Sequence, residues 1–148
     1  TVVLLDGVTD PHNVGAIIRS AYCTGHLHII LPEKNCAAIT PVVVKAAAGT
    51  IEHCTIYSVA NPVVAAEEMK KAGYTLYCMA LGGEDIRTLT PTKPYCIVIG
   101  SEGKGIQPRI VQQGKKITLP QLCSTSSYNA SVAAGIALFY CATSTRQI

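Results

Sequence analysis

At 148 residues the chain is the size of one domain, long enough to bury a core without disulfides or metal. Its residues are 49% apolar and only 14% charged, with a net charge of +3, a balance that permits a nucleic-acid partner without demanding one and leaves room for a subunit interface. No apolar run reaches the roughly 18 residues of a membrane span, and Thr1–Asp6 lacks the basic flank of a secretory signal. The seven cysteines are scattered, odd in number, without CxxC spacing and without a histidine at ligand spacing. They read as small buried hydrophobes in a reducing compartment, which places the protein in the cytoplasm with no metal centre.

Apolar runs predict strands at Val2–Leu5, His28–Leu31, Thr55–Val59, Thr75–Ala80, Cys96–Ile99 and Ile117–Leu119. Several are apolar at consecutive positions, the mark of strands covered on both faces. Helices are expected between them. Asp10 caps the first, with Pro11 at its first position, Val14, Ile17, Ile18 and Ala21 at core spacing, and Gly25 as its stop. A second spans Pro41–Ala48 and closes at Gly49. Asn61 caps a third, which starts at Pro62, faces Val63, Ala66 and Met69 inward and ends at Gly73. A short helix follows over Pro108–Gln113, and the last runs from about Ser127 to Ala142, apolar on nearly all sides. Leu81–Pro94 reads as a long irregular loop. The alternation predicts an α/β domain with a mainly parallel sheet covered by helices on both faces.

Polarity and glycine interrupt this apolar chain in three places, each directly after a predicted strand, where ligands of open parallel sheets bind. The first runs from Asp6 through Gly7, Asp10, Pro11, His12 and Asn13 to Arg19. Asp10 and Asn13 lie in the first helical turn, where they either cap the helix or meet a ligand. On spacing alone Arg19 is a solvated arginine. The second is Gly100-Ser101-Glu102-Gly103-Lys104-Gly105, whose glycines allow close backbone approach but match neither GxxxxGK[ST] nor GxGxxG. The third spans Leu119 to Ala133 and crowds hydroxyls and an amide (Ser124, Thr125, Ser126, Ser127, Asn129) at the start of the last helix. Either Ser126 or Ser127 suits the cap. Ala130, Ala133, Ala134, Ala137 and Cys141 then form a small-residue stripe that is either core or a dimer face.

In order and spacing, the three clusters together resemble the three motifs of the SpoU (TrmH-type) family of RNA ribose 2′-O-methyltransferases, in the SPOUT superfamily, from Thr1 to about Tyr140. The resemblance implies a C-terminal deep trefoil knot, an exception to unknotted topology, and a homodimer with the active site near its interface. It implies S-adenosyl-L-methionine as cofactor and structured RNA, tRNA or rRNA, as partner. It makes residues 1–148 a catalytic domain, read here as a piece of a longer chain with an N-terminal RNA-binding extension.

By the same resemblance the catalytic residues are Asn13, Arg19, Glu102, Ser127 and Asn129. The cofactor contacts are Ala80, Leu81, Gly100, Glu102, Gly103, Leu119, Tyr128 and Asn129. The family commonly has Leu where Tyr128 stands, and Leu122–Ser126 departs from the more usual glycine-containing version. A guanidinium is a poor base, so the expected task of Arg19 is to grip an RNA phosphate and orient the 2′-hydroxyl, with Glu102 and Asn13 holding Arg19 and its loop. Ser127 and Asn129 are expected to position the ribose or the arginine. A side chain at Gly100 is expected to fill space the cofactor needs. The alternative is a non-catalytic RNA-binding or assembly protein on the same scaffold. A Rossmann-type enzyme is disfavoured because the turn after the first strand has one glycine. A serine hydrolase is disfavoured because GxSxG is absent.

Overall fold

A computed structural model of the chain describes residues 1–144. Its strands are β1 (Val2–Asp6), β2 (His28–Pro32), β3 (Thr55–Val59), β4 (Thr75–Asp85), β5 (Tyr95–Gly100) and β6 (Lys115–Thr118). Its helices are α1 (Pro11–Cys23), α2 (Pro41–Ala47), α3 (Pro62–Lys71), α4 (Pro108–Val111) and α5 (Ala130–Ser144). The strands form one sheet in the order β3-β2-β1-β5-β4-β6, and every neighbouring pair is parallel.

Alternate residues along each strand feed two separate cores, as the two-residue period of a strand requires. Val3, Leu5, Ile29, Ile97 and Ile99 point to the face covered by α1, α2 and α5. Val2, Leu4, Ile30, Cys96 and Val98 point to the face covered by α3 and α4. This is why the strand segments are apolar at consecutive positions. On the first face α1 and α2 touch closely: a Cβ on Gly15 would lie 2.6 Å from the carbonyl oxygen of Val43.

Local signals set most boundaries where the sequence suggests them. Asp10 Oδ1 accepts from the His12 amide at 2.9 Å, and Asn61 Oδ1 accepts from the Val63 amide at 2.9 Å. Each such cap stabilises its helix by about 1 kcal/mol. Two expectations change and one open alternative is decided. The last helix starts at Ala130, not Ser127, because Asn129 is its cap: Asn129 Oδ1 accepts from the Ser131 amide at 2.9 Å and the Val132 amide at 3.3 Å. The segment after Ala80 is not a plain loop, since β4 resumes pairing with β6 and runs to Asp85. Both Met79 and Glu84 register with Ile117, so residues 80–83 bulge outward. The small-residue stripe resolves as core, with Ala130, Ala134, Ala137 and Cys141 buried. Of the cysteines, Cys78, Cys96 and Cys141 are buried and Cys36 and Cys54 half-buried, but Cys23 and Cys123 are exposed.

One buried polar chain crosses the base of the sheet. His26, only 1% exposed, has Nδ1 2.9 Å from Thr24 Oγ1 and Nε2 3.0 Å from the Tyr95 hydroxyl. The Thr24 hydroxyl donates to the carbonyl of Ser20, so it accepts from Nδ1–H, and Nε2 accepts from tyrosine. That pattern fits a neutral ring. Burial, with a lesser contribution from Lys93, pushes its pKa from 6.5 down to about 4.

The turn after β5 folds back on itself. Ser101 and Gly105 form an antiparallel bridge, and the Ser101 hydroxyl accepts from the Lys104 amide at 3.1 Å. A Cβ on Gly100 would stand 2.4 Å from Gly105 C and 2.5 Å from Ile106 N, so the missing side chain makes room for the protein's own backbone.

Two consequences can be measured. Between pH 6.5 and 4 the unfolded chain binds a proton at His26 that the folded chain refuses. Stability should therefore be flat above about pH 6.5 and fall by on the order of 3 kcal/mol towards pH 4. Urea titrations at several pH values should show this slope shrinking in His26→Gln. Gly100→Ala should cost about 1–3 kcal/mol by backbone collision, read as a lower urea midpoint before any ligand is added.

Candidate active site

The β1 and β5 strands lie side by side, with Asp6 in register with Gly100 at their carboxyl ends. The chain leaves β1 towards α1 on one face and leaves β5 towards α4 on the other. Such a divergence opens a crevice at the sheet edge. The first two polar clusters meet in it, and the third closes over it from α5.

Their junction is a single oxygen. Glu102 Oε1 accepts from Asn129 Nδ2 at 2.8 Å, from the Ala130 amide at 3.0 Å and, at 3.4 Å, from Asn13 Nδ2. Asn129 Nδ2 also donates to Asn13 Oδ1 at 3.2 Å. Three residues separated by 89 and 27 positions thus share one hydrogen-bonded centre, with Asn13 buried beneath it. Glu102 also sits over the amide end of α5, where a carboxylate is favoured.

Asp6 supports this centre from below. It is 4% exposed, and its two carboxylate oxygens accept from the Gln107 amide at 2.6 Å and from Gln107 Nε2 at 2.8 Å. The turn carrying Glu102 is therefore tied to the end of β1 as well as to β5. Asp6 was part of the first cluster in the sequence, but Gln107, 101 positions away, carried no local signal.

Two cavities flank Glu102. The first, about 560 Å³, is the one with more polar side chains: Asp6, Asp10, Asn13, Asn35, Ser101, Glu102, Lys104 and Gln107 line it, with Gly103. The second is largely apolar. Met79, Ile99, Ile117, Leu119 and Ala134 form its walls, and Glu102, Thr118, Gln121 and Ser127 bring polar groups to it. Glu102, Gly105 and Ala130 line both. The bulge of β4 presents Ala80 and Leu81 to the second cavity, and Gly83 lets it lie against β6: a Cβ there would be 2.6 Å from Lys116 C.

Of the residues singled out in the sequence, Ala80, Leu81, Gly100, Glu102, Leu119, Ser127 and Tyr128 line the second cavity. Gly103 lines the first, and Asn129 reaches both only through Glu102. Arg19 lines neither. It stands exposed on α1 and, among the described residues, makes no hydrogen bond or ion pair. Glu102 and Asn13 hold each other and α5 rather than Arg19. The wall residues Met79, Ile99 and Ile117 escaped the sequence reading because an apolar strand residue looks the same whether it faces core or ligand. Among the described residues, no three His, Cys, Asp or Glu side chains gather as a metal site, and no helix is long and apolar enough to cross a membrane.

Residues 1–139 match the SpoU rRNA Methylase family. A Bacillus subtilis protein named for the TrmH family of tRNA/rRNA methyltransferases is 39% identical over 140 residues, which cover 93% of this chain and 56% of that protein. An uncharacterized tRNA/rRNA methyltransferase of Synechocystis is also 39% identical over 140 residues, covering 93% of this chain but 36% of its own length. Among solved structures, the SpoU methyltransferase AviRb of Streptomyces viridochromogenes, in complex with the cofactor AdoMet, superposes with a TM-score of 0.87 at 26% identity, covering 97% of this chain and 59% of that one. The A. aeolicus TrmH/SpoU tRNA modifying enzyme gives 0.86 at 30% identity, with 97% of this chain and 74% of that one covered. The chain spans roughly a third to just over half of these sequence relatives, and it belongs to the SpoU rRNA methylase family.

Proposed function

We propose that this chain is the methyl-transferring part of an RNA 2′-O-ribose methyltransferase, with S-adenosyl-L-methionine in the apolar cavity and a nucleotide of tRNA or rRNA in the polar one. The observation that carries the reading is the shared wall: Glu102 borders both cavities while tied to Asn13, Asn129 and α5. Two reactants held on either side of one fixed group meet in a set orientation, which is the main service a protein renders to a displacement reaction.

The second cavity suits the cofactor by the chemistry of its lining. Met79, Ile99, Ile117 and Leu119 offer an apolar slot for a flat base, and Glu102, Thr118, Gln121 and Ser127 offer partners for ribose hydroxyls and an amino-acid tail. When bound, the cofactor supplies an electrophilic methyl on a sulfonium. The protein's part is to place the ribose hydroxyl and stabilise its loss of a proton. Arg19 fills that role by gripping the adjacent phosphate and directing the hydroxyl, so that the proton leaves by way of the guanidinium or the phosphate. Ser127, exposed at the mouth of the cofactor cavity, positions the ribose or this arginine, and Asn129 fixes Glu102.

Because Arg19 lines neither cavity within one chain, the reading includes a homodimer that completes the site. Its support is on α5. Val132, Ile136 and Phe139 are 50%, 42% and 64% exposed and lie at four- and three-residue spacing, an apolar stripe opposite the buried Ala134, Ala137 and Cys141. The trefoil knot towards the carboxyl end, the cytoplasmic setting and the extension of the chain beyond this domain belong to the same proposal.

Calorimetry with S-adenosyl-L-methionine, and separately with ATP and NAD, should give selective binding near one per protomer. Tritiated methyl transfer followed by nuclease digestion should yield 2′-O-methyl nucleosides. Arg19→Ala should abolish transfer, a loss of at least about a hundredfold, while cofactor affinity and melting temperature stay as in wild type; wild-type turnover in this variant sinks the assignment. Light scattering should show a dimer, and the double change Ile136→Glu with Phe139→Glu should give an inactive monomer. Full activity from a monomer would remove the dimer from the reading.

A further inference from the structure

The polar cavity has an unusual charge pattern. Its lining holds three carboxylates, Asp6, Asp10 and Glu102, and one cation, Lys104. Each carboxylate is already engaged by uncharged N–H donors: Asp6 by Gln107, Asp10 by the His12 amide, and Glu102 by Asn13, Asn129 and the Ala130 amide. Lys104 belongs to neither of the two ion pairs among the described residues, Lys71–Glu68 and Arg87–Asp85. Its backbone is fixed, since its amide donates to Ser101 Oγ at 3.1 Å at the tip of a turn closed by the Ser101–Gly105 bridge.

We infer that Lys104 is a substrate-binding residue that holds a phosphate of the acceptor RNA strand at the mouth of this cavity. The inference rests on the reading of the cavity as the acceptor site. Three carboxylates repel a phosphate from the interior, so a nucleotide enters with its neutral sugar and base inward and its backbone outside. Among the described residues this ammonium is the one charge on the lining that attracts that backbone, and a compact ammonium on a flexible stem is suited to a phosphate as a point charge. Lys104 thereby favours an acceptor within a strand over a free nucleoside.

The test is fluorescence anisotropy of a labelled transfer-RNA transcript across a potassium chloride series, with calorimetry for S-adenosyl-L-methionine on the same samples. Lys104→Ala should lower the slope of log K against log salt by about 0.7–0.9 and weaken binding by up to about tenfold at low salt. Lys104→Arg should keep the slope, and cofactor affinity should not change in either variant. A slope and affinity for Lys104→Ala equal to wild type overturn the inference, as does a wild-type protein that binds neither this transcript nor a ribosomal-RNA helix. Failure of the methyltransferase reading shows separately, as a wild type that binds no S-adenosyl-L-methionine, and the slope difference still decides for or against the phosphate contact.

Discussion

The site depends on the side-by-side placement of the β1 and β5 carboxyl ends, with Asp6 opposite Gly100. From that pairing the chain must diverge, one strand feeding a helix on each face of the sheet. The gap between the two exits is held open by Gly100, whose absent side chain leaves room for the returning turn, and is pinned by Asp6, which takes both donors of Gln107. Glu102 is then delivered to one place, where Asn13 from α1 and Asn129 from the cap of α5 converge on the same oxygen. The parallel sheet supplies rigidity, and the turn supplies chemistry.

This arrangement explains why some of the molecule could be read from its sequence. Pro11 and Pro62 behind Asp10 and Asn61 gave helix starts with a physical cause, and the structure places α1 and α3 there. The runs at Val2–Leu5 and Cys96–Ile99 gave strands covered on both sides, and each feeds two cores. What escaped was long-range or ambiguous. Asn129 rather than a serine caps α5 because its amide can serve Glu102 and Asn13 through nitrogen and the helix through oxygen at once. A serine hydroxyl has a single donor hydrogen and could not serve both Glu102 and Asn13 while capping the helix. The return of β4 to pairing after its bulge depends on β6, more than thirty residues on. The Asp6–Gln107 tether spans 101 positions.

Glycine shows the same division. Gly100 and Gly83 each stand where the sequence suggested space for a ligand or a loop, yet the atoms that would meet a Cβ are the protein's own backbone, at 2.4 Å and 2.6 Å. Substitution at Gly100 therefore tests the fold before it tests binding. Gly103, by contrast, has nothing within 4 Å of a built Cβ. Gly105 has the same open space, but its φ of +68° is itself a reason for glycine there.

Charge completes the argument. A domain with only 14% charged residues spends three carboxylates on one cavity and ties each to uncharged donors, so that the cavity is negative without being unsatisfied. On the proposed reading this pattern disfavours a phosphate inside the cavity, with Lys104 as the cation on its lining, while Arg19 stands exposed on α1 outside it. Arg19, exposed and without a hydrogen bond or ion pair among the described residues, and the uncovered stripe of Val132, Ile136 and Phe139 on α5 are the two features that the proposed two-chain site would account for. The apolar stripe would drive association at about 1.5–3 kcal/mol per fully buried side chain, and the arginine would acquire its partner only when that surface is covered. On this reading assembly and methyl transfer are a single requirement, because the residue proposed to orient the acceptor hydroxyl would not be in place until the second chain is.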